Sequence, residues 1–267
     1  MTDTPTKPDA KDTKPARRSG FAAAAREFVL IVVGALIVSS ILRAFVGQMF
    51  IIPSESMENT LLVGDRVVVE KLTDVKRGDV IVFEDPGGWL GQEESGQKRG
   101  SIGRFFEIVG LLPDSSHGHL IKRLIGMPGD KVACCDAKGR ILVNGQPLDE
   151  TSYLYPGDAP SQMDFQVTVP AGRIFVMGDH RSASGDSRVH LQELDANGGN
   201  QGDAAFVPLD KVTGRAIAIV WPANRWTKLG VPDTFKSVPA PRPRAGQTLD
   251  IPDATAQVTF CPPWPLG

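Results

Sequence analysis

"DRVVVEKLTDVKRGDVIVFED", residues 65–85, contains two short apolar runs, each bounded by charged or turn-forming residues. Val, Ile and Phe dominate these runs, and such residues are enriched in β-strands because their side chains pack well on a pleated surface. Gly78 and Asp79 lie between the runs and are typical of a turn. The stretch therefore predicts two strands of a β domain.

Six further segments share this composition: HLIKRLIG, DKVACC, RILVNG, DFQVTVP, RIFVMGD and KVTGRAIAIVW. Several alternate apolar and polar residues, as expected for antiparallel sheets with one face in water. Asn144 and Gly145 indicate a hairpin turn, since both residues tolerate positive φ. We predict a mostly β domain over residues 48–223, with insertions near residues 87–119 and 190–205.

The two ends of the chain differ from this domain in composition. Residues 1–27 include a stretch rich in Thr, Lys, Pro and Asp with too little apolar content to fold, so we predict a disordered tail there. Residues 224–267 include Pro-rich text such as VPAPRPRAGQT. We therefore predict a poorly ordered C-terminal extension.

An uncharged apolar segment, FVLIVVGALIVSSIL, occupies residues 28–42. Extended to residue 47, it supplies the roughly 20 residues that a membrane-spanning helix needs, with Arg43 reaching the far interface. A buried core helix is the first alternative. A cleaved signal peptide is the second, although the bulky QMFIIP that follows does not resemble a cleavage site.

Basic residues on one flank orient the predicted span at residues 28–47. Lys and Arg precede it, whereas residues 44–65 contain neither. The positive-inside rule then keeps the N-terminus in the cytoplasm. We expect a single-pass protein of the cytoplasmic membrane, with the β domain extracytoplasmic.

Charge and cysteine content exclude some classes of function. The chain has 267 residues and a formal net charge of -2. With no long basic stripe, nucleic acid is not an expected partner. Cys134, Cys135 and Cys261 form no CxxC pair and no zinc-binding set, so we expect no metal and no other cofactor. The oligomeric state stays open.

PSESM, residues 53–57, follows the apolar segment closely and offers two serines, Ser54 and Ser56. A serine is a nucleophile only if a neighbouring base takes its proton, and that base can be a histidine or a lysine kept neutral by desolvation. Lys122 is the lysine candidate because apolar residues surround it in LIKRLIG. Among the histidines, His180 is the alternative.

Four ordered segments add to this pattern: PSESMENTL, KRGDVIVFEDP, IKRLIGMPGD and VPAGRIFVMGDHRSASGDSR. With the apolar segment, they resemble the type I signal peptidases, membrane-anchored Ser/Lys proteases that remove signal peptides from exported proteins. The resemblance extends from about residue 28 to residue 221. It implies an antiparallel β-sheet serine protease domain of signal peptidase type, preceded by one N-terminal transmembrane helix.

The resemblance also implies a role for each matching residue. Ser56 falls on the nucleophile and Lys122 on the general base, while Ser54 lends its hydroxyl to the oxyanion hole. The supporting residues of the last segment match Ser184, Asp186 and Arg188. We expect Ser184 to hydrogen-bond the neutral amine, and Asp186 to pair with Arg188 and hold the loop.

Two positions depart from the family pattern. Asn59 stands where the family usually has proline, which affects the turn after Ser56 but removes no reacting group. His180 stands where asparagine is common, so a Ser/His arrangement is the alternative to the Ser/Lys pair.

The function implied by the resemblance is cleavage of N-terminal signal peptides from exported preproteins at the outer face of the cytoplasmic membrane. Its partners are then signal peptides and the lipid bilayer. Two alternatives are a self-cleaving Ser/Lys protease and a membrane-anchored β domain without catalysis.

The cysteines follow the predicted span and would meet an oxidising compartment. A bridge between the neighbours Cys134 and Cys135 must distort the intervening peptide. We therefore expect Cys261 to pair with one of them and leave the other free, with three free thiols as the alternative.

Overall fold

The computed structural model describes residues 19–45, 47–90, 118–193 and 202–241. Its first element is helix α1, Ser19–Phe45. The helix begins before the predicted start at residue 28, because residues 22–25 are alanines, the strongest helix formers. The end of the predicted disordered tail is thus helical, while residues 1–18 lie outside the described residues.

Side chains are described for residues 23–39 of α1, and all of them are exposed. Phe28 and Ile31 are 68% and 65% exposed, respectively. Within the part of the chain that the structure describes, no helix meets the length and apolarity needed to cross a membrane. The span over residues 28–47 stays a prediction.

The described residues after α1 form β-strands joined by turns and short 3-10 helices. This confirms the predicted mostly β class. In chain order the strands are β1 Gly47–Ile51, β2 Arg66–Glu70, β3 Val80–Glu84, β4 His119–Gly126, β5 Lys131–Cys134, β6 Leu142–Val143, β7 Gln146–Pro147, β8 Phe165–Thr168, β9 Arg173–Met177, β10 Val207–Pro208, β11 Val212–Trp221 and β12 Thr227–Lys228.

The strands form two sheets, and all their pairings are antiparallel. The large sheet has the order β1-β2-β11-β3-β4-β9-β10, with β12 added to β11. The small sheet has the order β7-β6-β5-β8. The late strand β11 lies between β2 and β3, so the two runs of residues 65–85 do not form a hairpin with each other.

Strand β3 is buried on both faces, which explains its continuous apolar run. Val80 and Val82 belong to one core cluster, and Ile81 and Phe83 belong to another. Successive strand residues point to opposite faces, so the large sheet has an apolar layer on each side. A third cluster packs around the small sheet and includes Phe165 and Phe175.

The start of the C-terminal extension is ordered, contrary to the prediction for residues 224–267. Arg225 binds Asp65, with Nε 2.9 Å from Oδ1. Phe235 and Val238 are buried, and they join the core around the small sheet. These isolated apolar residues anchor a segment whose composition alone indicates a loose tail. Residues 242–267 lie outside the described residues.

The bases of the two predicted insertions meet beside the large sheet. The rings of Trp89 and His190 stack with centroids 4.5 Å apart, and Trp89 Nε1 donates to the Ala204 carbonyl over 2.8 Å. Residues 91–117 and 194–201, which make up most of the insertions, lie outside the described residues.

The cysteine pairing differs from the expectation. A disulfide joins Cys134 to Cys135, so the predicted pairing of one of them with Cys261 is wrong. The expectation rested on the distortion that a bridge between neighbouring residues imposes on the intervening peptide. Cys261 lies outside the described residues.

Candidate active site

Ser56 lies in a short 3-10 helix, Glu55–Met57, between β1 and β2. Met57 is fully buried in the apolar cluster that also contains Leu61, and this fixes the turn to the core. Ser56 itself is 4% exposed. A polar side chain is therefore held where little water reaches it.

Lys122 lies in the middle of β4 and is 3% exposed. Its Nζ atom makes a very short contact with Ser56 Oγ. Burial lowers the pKa of Lys122 to about 8, although the negative charges of Asp186 and Asp179 act in the opposite direction. Near that pH a large share of the amine is neutral and has a free electron pair.

Ser54 and Ser56 are close enough for their hydroxyls to interact. Their Oγ atoms are 3.3 Å apart. Ser54 is exposed and precedes the 3-10 helix in an extended conformation. The Ser56 N–H lies in the first turn of that helix, where backbone N–H groups have no partner within the helix.

Asp186 and Arg188 form a buried ion pair in the loop after β9, with Arg188 Nε 2.9 Å and Nη2 2.8 Å from the carboxylate. Burial raises the pKa of Asp186, but the Arg188 hydrogen bonds and charge, with the Gly178 N–H, outweigh it and hold that pKa below its usual range. The carboxylate is therefore charged and holds the loop in shape.

Ser184 is buried in the same loop, but its predicted bond to the Lys122 amine is not among the described contacts. Its Oγ atom makes no hydrogen bond of ordinary geometry within the described residues, although it lies near enough to Asp186 to help lower the pKa of that carboxyl. A Cβ at Gly178 would collide with Ser184 Oγ and with the Ser56 carbonyl. Glycine at 178 thus permits the close approach of this loop to the nucleophile turn.

A second buried ion pair, which the sequence analysis missed, ties three segments of the site together. Arg123 donates from Nε to Asp179 Oδ1 over 2.7 Å and from Nη1 to the Gly78 carbonyl over 2.7 Å. Thr60 Oγ1 donates to Asp179 Oδ2. Charged residues inside the apolar runs LIKRLIG and IFVMGD are the signal that could have revealed this pair, since buried charges are rarely left unpaired.

His180 contacts the nucleophile turn, but the described contacts of its ring do not include Ser56. Its backbone N–H donates to the Ser56 carbonyl over 3.1 Å. Its ring stacks on Tyr155 with centroids 3.8 Å apart, and Nδ1 lies 3.5 Å from Glu58 Oε2. The contacts therefore favour Lys122 over His180 as the group that acts on Ser56.

Asn59 adopts φ of 80° in the turn after Ser56. Its side-chain Nδ2 donates to the Leu154 carbonyl over 2.9 Å. Asparagine visits this left-handed region more readily than most residues, whereas the proline ring fixes φ near −65°. The turn at position 59 therefore has a backbone conformation that asparagine adopts and proline cannot.

The part of the chain that the structure describes contains one cluster of metal-binding side-chain types, Cys134, Cys135 and Asp164. The two sulfurs are bonded to each other and offer no thiolate. At the Ser56 site, a buried serine hydroxyl in contact with an amine of lowered pKa is suited to acyl transfer.

Known proteins match this chain over most of its length. The family profile "Signal peptidase, peptidase S26" matches residues 25–221. A probable signal peptidase I from Mycobacterium leprae is 36% identical over 230 residues, covering 76% of this chain and 78% of the relative. Signal peptidase I from Mycobacterium tuberculosis strain H37Rv is 36% identical over 237 residues, covering 80% of this chain and 77% of the relative.

Proposed function

Because the chain belongs to the signal peptidase family, peptidase S26, and is a hydrolase of that family, we propose that it cleaves N-terminal signal peptides from exported preproteins with a Ser56/Lys122 dyad. One observation carries the assignment of the dyad, namely the contact between Lys122 Nζ and Ser56 Oγ in a buried site. The lowered pKa of Lys122 supports it, because a base must be neutral to accept a proton.

In the first half of the reaction, Ser56 Oγ attacks the scissile carbonyl carbon while neutral Lys122 Nζ takes the hydroxyl proton. The resulting ammonium then protonates the leaving amine, the C–N bond breaks, and the mature protein departs. In the second half, the same amine takes a proton from water, which attacks the acyl-enzyme ester. The proton returns to Ser56 Oγ, and the signal peptide leaves with a free carboxylate.

Negative charge develops on the carbonyl oxygen in both halves of the reaction. Ser54 Oγ and the Ser56 N–H are the two donors that we assign to it. Ser54 is exposed and its Oγ is 3.3 Å from that of Ser56, so a bound substrate can reach both groups. Removing one such donor typically costs about 100-fold to 1,000-fold in rate.

The supporting residues act on Lys122 through the loop after β9. Asp186 and Arg188 hold that loop, and their charges act on the Lys122 pKa in opposite directions. Ser184 lies beside Gly178 at the nucleophile turn. We assign Ser184 the role of orienting the Lys122 amine in the substrate complex.

Membrane attachment is the second part of the proposal. The apolar side chains of α1 are exposed, and β1 with the nucleophile turn follows this helix directly. Further exposed apolar residues flank the turn or lie on neighbouring strands and loops: Met49, Ile51, Leu62, Val63, Trp221 and Trp226. Residues 28–47 then span the cytoplasmic membrane with the N-terminus inside, and these side chains rest on the outer surface.

A substrate that emerges from the bilayer meets this arrangement in extended form. Signal peptides have a short apolar core followed by small residues at the cleavage site. An antiparallel β domain can bind such a stretch as an added strand, using backbone hydrogen bonds. A nucleophile held close to the membrane surface then faces the cleavage site of a peptide whose apolar core stays in lipid.

The test is cleavage of a preprotein in detergent by the wild-type chain and by three lysine or serine variants. Ser56→Ala and Lys122→Ala should each reduce cleavage to background while the thermal unfolding transition persists. Lys131→Ala is the matched control, because Lys131 is an exposed lysine on β5. Full cleavage by Ser56→Ala would disprove the dyad, and absence of cleavage by a folded wild-type chain would favour a β domain without catalysis.

A further inference from the structure

His180 contacts the nucleophile turn at two points. Its backbone N–H donates to the Ser56 carbonyl over 3.1 Å, and its Nδ1 lies 3.5 Å from Glu58 Oε2. The first contact would survive any substitution that preserves the backbone, whereas the second requires a ring nitrogen. The side chain at position 180 therefore has an interaction of its own with the turn.

The surroundings of the His180 ring make this interaction depend on charge. The side chain is 13% exposed, and one ring face is stacked on Tyr155 at an interplanar angle of 15°. Nδ1 makes no hydrogen bond within the described residues, and 3.5 Å is at the outer limit for one. A neutral ring therefore gains little from Glu58, while an imidazolium gains a charge interaction with little intervening water.

Carboxylates face the ring from two segments. Glu58 belongs to the nucleophile turn, and Asp158 to the loop that contains Tyr155. Burial raises the pKa of Asp158, but hydrogen bonds from Ser182 and the charge of His180 lower it below its usual value. Both carboxylates attract an imidazolium, and Tyr155 covers the ring face without charge.

We propose that His180 is a positioning residue for Ser56, whose imidazolium form binds Glu58 and holds the nucleophile turn in its active geometry. The Glu58 N–H donates to the Glu55 carbonyl over 2.8 Å and closes the 3-10 helix that has Ser56 at its centre. Fixing Glu58 thus fixes the turn beyond the nucleophile. This inference rests on the proposed peptidase function.

The test compares kcat/KM of each variant with that of the wild type as a ratio, from about pH 5.5 to about pH 9. The Lys122 pKa is set by burial and by the charges of Asp186, Asp179 and Arg188. None of these is substituted, so the titration of Lys122 is common to all variants and cancels in the ratio. For His180→Asn and for Glu58→Gln, the ratio should be about twofold to fivefold lower at about pH 5.5 than at about pH 9, with the loss in kcat rather than KM. The double variant should lose no more than either single variant.

His190 and Glu193 provide a matched control. They form a second histidine–carboxylate pair, with Nδ1 2.6 Å from Oε2, outside the candidate site. Glu193→Gln should therefore give a ratio that does not change with pH. A pH-independent ratio for His180→Asn, or additive losses in the double variant, would overturn the proposal.

A second measurement tests the His180–Glu58 interaction independently of the peptidase function. A double-mutant cycle on His180 and Glu58, followed by urea unfolding, should show coupling at about pH 5.5 and none at about pH 9. If the wild type cleaves no preprotein, the peptidase proposal fails, and this cycle still decides whether the pair forms. A coupling free energy of zero at the acidic pH refutes the His180–Glu58 interaction even when cleavage is intact.

Discussion

At the scale of single residues, Lys122 combines burial with contact to a serine hydroxyl. Burial lowers its pKa to about 8, whereas a free lysine has a model value of 10.5. The folded site therefore disfavours the ammonium and yields a usable base near neutral pH. Full protonation below this pKa removes the base, and full deprotonation above it saturates the rate.

The pH dependence of cleavage follows from this pKa. We expect kcat/KM to rise about tenfold per pH unit below about pH 7, pass its midpoint near pH 8, and level off above about pH 9. The measurement is cleavage of a soluble peptide substrate in buffers of constant ionic strength. A midpoint near 6.5 would point to a histidine and exclude Lys122 as the base.

Asn59 gives a second prediction at this scale, because its φ of 80° is closed to proline. Asn59→Pro should lower the free energy of unfolding by at least about 1 kcal/mol more than Asn59→Gly does. Both substitutions remove the hydrogen bond to the Leu154 carbonyl, so their difference isolates the backbone term. Urea unfolding measures it, and equal stability of the two variants would contradict the prediction.

At the scale of elements, the strand content was predictable but the strand order was not. The β-branched runs of β2, β3, β4, β9 and β11 are visible in the sequence, since strand composition is a local property. The position of β11 between β2 and β3 depends on pairings between distant segments. No local pattern specifies which late run occupies that gap.

Some residues of the candidate site were also predictable from the sequence, and others were not. Ser56 and Lys122 could be identified because short motifs surround them. The Arg123–Asp179 pair could not be identified with the same ease, because an isolated charge usually indicates an exposed position. Its burial emerges only when β4 and the loop after β9 meet.

The ordered part of the C-terminal extension contacts the candidate site indirectly, through Gly78 and Arg123. Phe235 packs against Gly78, where a Cβ would lie 2.6 Å from Phe235 Cδ2. The Gly78 carbonyl accepts a hydrogen bond from Arg123, which in turn holds Asp179. Phe235 of the Pro-rich extension is thereby connected to the loop that contacts Ser56.

We expect Phe235→Ala to destabilise the fold by about 3 kcal/mol or more, as is typical when a buried aromatic side chain is truncated. The matched control is Lys236→Ala, because the Lys236 side chain is 70% exposed. Urea unfolding of the two variants gives the comparison. An equal, small effect of both would show that the extension does not contribute to the core.

At the scale of the whole molecule, the proposed arrangement places one apolar helix in the membrane and a folded β domain outside it. The apolar side chains described in α1 are exposed. The proposed span requires lipid on all sides of residues 28–47. Attachment should then resist conditions that remove peripheral proteins.

The measurement is flotation with lipid vesicles after an alkaline carbonate wash. The wild-type chain should float, and a Leu36→Arg/Ile37→Arg variant should not, since each arginine at the centre of a spanning helix costs about 2.5 to 3.5 kcal/mol. Cleavage of a soluble peptide in detergent serves as the control for folding and should persist in the variant. Flotation of both proteins would contradict the span.

The hydrogen bond from Thr60 to Asp179 joins positions 119 residues apart, and the contact between Lys122 and Ser56 joins positions 66 apart. Contacts of such long sequence separation form slowly, because loop closure must precede them. A nascent chain that has exposed Ser56 but has not yet delivered Asp179 therefore lacks a complete catalytic centre. Under the proposed function, proteolysis begins only after the segment that contains Asp179 has docked against the nucleophile turn, so the order of folding sets when the enzyme becomes active.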